Sequence, residues 1–107
     1  MRMIMKKISQ ILSSIYSYEI DFAIYLPKSE KWSLNTEGDV LDPDEAEDPD
    51  GNAHDFVNLN GLSYIFDISL VDQIRQNIIQ QTDVEPSVED LFSGFIYYYE
   101  HDAFKRW

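Results

Sequence analysis

Cysteine is absent from the chain. That excludes disulfides, zinc–thiolate centres and cysteine nucleophiles, and makes a reducing cytoplasm the expected compartment. Glycine and proline are scarce, with four of each. So few glycines leave little room for a phosphate-cradling loop. Neither a Gly-x-Ser-x-Gly elbow nor a His-Glu-x-x-His helix occurs. No apolar run approaches the ~18 residues a membrane-crossing helix needs. The N-terminal segment carries Arg2, Lys6 and Lys7, but Ser9, Gln10, Ser13 and Ser14 interrupt any apolar stretch and no small-residue cleavage site follows, so it does not read as a signal peptide. Met1, Met3 and Met5 are alternative starts.

Positive charge is the next shortage. Eight Lys+Arg stand against twenty Asp+Glu, a formal net charge of −12. No base occurs between Lys31 and Arg75, and the interval 32–74 holds eleven acids. The rest of the chain has nine acids and eight bases, which leaves −1. The charge is therefore regional. A surface of that sign repels nucleic acid and anionic lipid, and favours a basic protein as partner.

What is present suffices for a folded core. The 107 residues are 44% apolar and 14% aromatic, the profile of one ordinary domain over 1–107. Ile4, Ile8, Ile11, Leu12 and Ile15 recur at helical spacing up to about Tyr18. Phe22–Leu26 reads as a strand closed by Pro27. Lys31–Asn35 alternates, with Trp32 and Leu34 on one face, and Asp39–Leu41 is a short strand after a turn at Gly38. Asp42–Asn52 packs two prolines, one glycine and six acids into eleven residues, which predicts an exposed acidic loop over 42–55 with one helical turn after Pro43. Phe56, Val57 and Leu59 return the chain to the core.

Leu62–Ile68 is the best strand, with Tyr64, Phe66 and Ile68 on one face. Ser69 with Asp72, and Ser87 with Asp90, have capping-box spacing. They predict helices to about Gln81 and over Val88–Glu100, the first burying Val71, Ile74 and Ile78. The expected class is α+β: a small antiparallel sheet packed against about three helices, in the order α-β-β-β-loop-β-α-α.

The catalytic inventory is thin. His54 beside Asp55, and His101 between Glu100 and Asp102, are the His–carboxylate neighbours available for acid–base work. Asp48-Pro-Asp-Gly-Asn52 starts like a calcium loop, but an EF-hand requires glycine at position 6 and glutamate at position 12, where Ala53 and Leu59 stand. The expectation is a protein that is not an enzyme and has neither metal site nor cofactor. The candidate residues are those of a partner surface: Asp42, Asp44, Glu45, Glu47, Asp48, Asp50 and Asp55, with Trp32 and Tyr97 as aromatic anchors. In the run Tyr97–Tyr99, spacing puts Tyr98 and Tyr99 on the core stripe and leaves Tyr97 exposed. Phe104 and Trp107 either fold back on the core or form an adhesive end.

Three stretches, Tyr25-Leu-Pro27 followed by Trp32, Val40-Leu-Asp-Pro-Asp44, and Tyr97-Tyr-Tyr-Glu-His-Asp-Ala-Phe104, carry a further likeness. In them the chain resembles the small acidic immunity proteins encoded beside bacterial contact-dependent growth-inhibition toxins. The resemblance implies a cytoplasmic, non-enzymatic toxin inhibitor. Such a protein binds the C-terminal toxin domain of a delivered effector, here a nuclease of ribonuclease type, and occludes its basic active site. The charge distribution alone also admits an acidic adaptor, or a nucleic-acid mimic binding a basic host protein. A small metal-binding protein using His54 and the loop carboxylates is the remaining alternative.

Overall fold

The computed structural model describes residues 4–28 and 31–107. The alternative starts Met1 and Met3 lie outside them. Among the described residues ten elements follow one another: β1 (Lys6–Lys7), α1 (Ile8–Ser13), a 3-10 turn (Ile15–Ser17), β2 (Ala23–Pro27), β3 (Glu37–Leu41), α2 (Pro43–Glu47), α3 (Asn52–Leu59), β4 (Leu62–Asp67), α4 (Ile68–Thr82) and α5 (Val88–His101). The four strands form an antiparallel sheet in the order β1-β3-β2-β4. The α+β class holds, with more helices than expected and a different element order.

Alternation along β2 explains the layering. Ile24 and Leu26 point into the larger core with Ile8, Ile11, Leu12, Ile15, Ile68, Val71, Ile74, Ile78, Leu91 and Phe95. Ala23 and Tyr25 point the other way, to Leu41, Ala46, Leu62, Phe56 and Val57. Successive strand residues face opposite sides, so α1, α4 and α5 cover one face of the sheet and α2 with α3 covers the other. Each fully buried Ile or Phe of the larger core contributes roughly 1.5–3 kcal/mol relative to leaving it in water.

A bulge in β4 changes which residues share a face. Ile24 pairs with Phe66 but Tyr25 pairs with Tyr64, so Ile65 is the extra residue. It lets Ile65 and Phe66 both join the larger core, while Tyr64 meets Tyr25 edge-on at 5.7 Å on the opposite face. The expected single stripe of Tyr64, Phe66 and Ile68 is thus corrected, and Ile68 already belongs to α4.

The predicted strand over 31–35 is an irregular segment with a turn at Leu34–Asn35. Its carbonyls have another use. The first amides of α1 need partners outside the helix, and Ile8 N–H donates to Thr36 O at 2.9 Å and Ser9 N–H to Leu34 O at 3.0 Å. The helix starts at Ile8, and Ile4, expected on its stripe, is exposed.

Gly38 lies within β3 and not at a turn. A Cβ there would sit 2.1 Å from the Tyr25 carbonyl oxygen and 2.6 Å from a Leu26 methyl, so only glycine lets the strands meet. Asp67, not Ser69, caps α4, accepting from Leu70 N–H at 2.8 Å, while Ser87 caps α5 as its spacing predicts.

The chain end folds back. Gln81 receives the Trp107 amide at 2.9 Å and donates to the Lys105 carbonyl at 3.0 Å. Lys105 reaches Ser93 at 2.7 Å and sits over the Trp107 ring.

Candidate functional site: an anionic lid over one face of the sheet

The acidic stretch 42–55 is folded. Asp42 caps α2 by accepting from Asp44 N–H at 3.0 Å, and Pro43 takes the first helical position, where a missing N–H costs nothing. Asp48 closes the helix and turns the chain, accepting from Asp50 N–H at 3.1 Å through its side chain and from Gly51 N–H at 3.0 Å through its carbonyl. Then α3 begins at Asn52. Ala46 and Ala53 are buried, and Phe56 and Val57 pack on the sheet, so the segment is clamped down as a lid. Leu59, expected to return to the core, is 87% exposed.

This clamping sorts the candidate acids. Asp44, Glu45, Glu47, Asp48, Asp50 and Asp55 are exposed, while Asp42 is half-buried by its capping role. Asp44 and Glu45 lie in the first turn of α2 and Asp55 in that of α3, where the helix dipole offsets part of their mutual repulsion. Among the described residues none of these acids is paired with a base, since the three ion pairs are Lys6–Asp39, Arg75–Asp72 and Arg75–Glu85. The acids also bear on the sheet beneath. Burial pushes the Tyr25 hydroxyl pKa up, and the charges of Glu47 and Asp42 add to it.

Under the lid lies a second carboxylate that the sequence did not single out. Asp39 is buried, accepts from Val40 N–H at 2.8 Å and receives Lys6 at 3.0 Å. That hydrogen bond holds Lys6 above its ordinary pKa. Its position on β3 facing Tyr25, next to apolar Val40 and Leu41, was the available signal.

The aromatic candidates lie elsewhere. Trp32 packs on the larger core, 4.5 Å from Tyr99 and 6.0 Å from Phe95, and its indole N–H donates to Pro27 O at 2.8 Å. Tyr97 is half-buried and stacks on His101 at 4.2 Å. Tyr99, expected on the core stripe, is the more exposed ring at 41%. Trp32 and Tyr97 therefore sit across the sheet from the acids, and one flat partner surface does not reach both groups.

Among the described residues neither histidine pairs with a carboxylate. His54 Nδ1 lies 3.1 Å from the Asn58 amide nitrogen, one helical turn along, and not against Asp55. Among the described residues no three of His, Asp and Glu converge as metal ligands would. No helix among them is long and apolar enough to cross a membrane.

Comparison with curated proteins and with solved structures returns no match. A family model described as a domain of unknown function, DUF7716, matches residues 4–107. That span includes the strands, the acidic lid and both long helices, and the chain belongs to the DUF7716 family.

Proposed function

We propose that the protein is a cytoplasmic inhibitor of the immunity type, which binds a cognate toxin domain of ribonuclease class and blocks it by covering the basic groups that grip phosphate. It performs no chemistry of its own. One observation carries this reading: Asp44, Glu45, Glu47, Asp48, Asp50 and Asp55 are displayed on a folded, anchored lid and are left unneutralised by the chain's own bases among the described residues. Like charges held together cost stability, and a basic partner converts that cost into affinity and rapid encounter. The resemblance in Val40–Asp44, which leads into the lid, supports the same partner class.

Co-expression with the adjacent upstream reading frame tests the proposal. Death of cells lacking the protein, rescue by it and co-purification of the two chains are expected. An upstream product that is harmless and does not co-purify rejects the immunity reading. The lid is tested separately with the Asp44→Asn, Glu47→Gln, Asp48→Asn, Asp50→Asn combination. Stopped-flow association should slow by at least about tenfold at low salt and lose most of its salt dependence. An unchanged rate removes the lid as the contact while leaving the inhibitor reading standing.

A further inference from the structure

The outer side of α5 departs from the acidic character of the chain. Lys28, Lys31, Trp32, Ile96, Tyr99 and Glu100 line an open recess of about 340 Å³ there. That volume lies within the range of small-ligand sites.

The chemistry of its walls is specific. The Trp32 indole N–H is already used by the Pro27 carbonyl, so the ring offers the recess apolar surface. Tyr99 stands 4.5 Å from it and adds a second, partly exposed ring, with Ile96 beside them. Lys28 and Lys31 are exposed and enter no ion pair among the described residues, whereas Lys6 and Arg75 are both committed to carboxylates. A second recess of about 370 Å³ shares Ile96 and Glu100 and contains Lys105. Its lysine keeps its charge but is tied to Ser93 and the Trp107 ring, whereas Lys28 and Lys31 have no such partner among the described residues.

We infer that this recess binds an aromatic monocarboxylate. The flat apolar body rests on Trp32, Tyr99 and Ile96, and the carboxylate is held by Lys28 and Lys31. Glu100 on the rim offsets part of the charge of the two lysines, so the recess suits a singly charged acid better than a polyanion. A nucleotide or other polyanion meets Glu100 and the −12 field of the whole chain. The site lies across the sheet from the acidic lid and does not depend on the inhibitor reading.

The test is an NMR titration of the isotope-labelled full chain with three probes: 1-naphthaleneacetate, 1-naphthalenemethanol and 1-naphthyl phosphate. The acetate should shift the Trp32 indole resonance and the Ile96 and Tyr99 amides at millimolar concentration. It should bind about fivefold tighter than the uncharged alcohol, the effect expected of an exposed charge contact. The Lys28→Gln, Lys31→Gln double variant, altered only at exposed positions, should abolish the difference between acid and alcohol. Tyr99→Ala should weaken both. Absence of these shifts, equal binding of acid and alcohol to the parent chain, or tighter binding of the phosphate than of the acetate overturns the inference.

Discussion

Gly38 and Asp39 are adjacent residues with unrelated constraints. At Gly38 the obstacle is the backbone oxygen of Tyr25, which cannot swing aside as a flexible side chain would. Gly38→Ala should therefore cost about 3 kcal/mol, at the upper end for an overpacked site. For a chain of this size that lowers the melting temperature by more than ~10 °C, readable by circular dichroism. Asp39 sets a pH dependence through Lys6. A lysine whose pKa is raised by folding adds stability below its ordinary value of 10.5 and loses it as pH climbs through the higher folded value. Tyr25 has the same sign, since burial keeps its hydroxyl protonated in the fold beyond the ordinary 10.0. Denaturant melts should therefore show stability falling above about pH 10. The fall should be shallower in Lys6→Met with Asp39→Asn, and an equally steep fall would assign it to other groups.

Among the elements, the helix ends and the chain terminus depend on distant partners. The N-terminal amides of α4 are met by Asp67, by Phe22 O at 2.8 Å and by Ile20 O at 3.0 Å, so the start of this helix is tied to the segment before β2. The 83–87 connection is held by Glu85, which accepts from Arg75 and from the Tyr16 hydroxyl, both at 2.8 Å. Those two donors keep the Glu85 carboxyl below its ordinary pKa. The C-terminal tail rests on Gln81. Gln81→Ala should leave global stability within about 1 kcal/mol, the net worth of such hydrogen bonds. It should also raise acrylamide quenching of Trp107, measured in a Trp32→Phe background. Unchanged quenching would mean that the stack of Lys105 on Trp107 and the Tyr98–Phe104 contact hold the tail by themselves.

The whole molecule is polar in its charge layout. One face of the sheet carries the acidic lid, with none of its acids paired among the described residues, and the other the larger core, with its recess of lysines and aromatic rings. At −12 the fold works against its own repulsion, and salt screens it over about 10 Å at 0.1 M. Raising NaCl from about 10 mM to 0.5 M should raise the melting temperature by several degrees. The quadruple lid variant should start higher and respond less. A melting temperature that falls with salt would mean that the three ion pairs outweigh the repulsion, contrary to the small worth of surface pairs.

The sequence by itself determined the α+β class, the buried stripes of α1, α4 and α5, the Ser87 cap and the position of the charge. Each of these is local: periodicity, a capping residue and a count of acids depend on neighbours in the chain. Only the tertiary structure decided that the acidic stretch is a lid and not a loop, because its folding rests on Ala46, Phe56 and Val57 reaching Tyr25 and Leu62 on other elements. The Ile65 bulge, the use of 31–36 to cap α1 and the reason for Gly38 are likewise set by pairing across the sheet or between segments. The same holds for the candidate site. Its acids were legible as a run, but their separation from Trp32 and Tyr97 follows from which face of the sheet each element covers, and alternation in β2 fixes that only once its neighbours are in place.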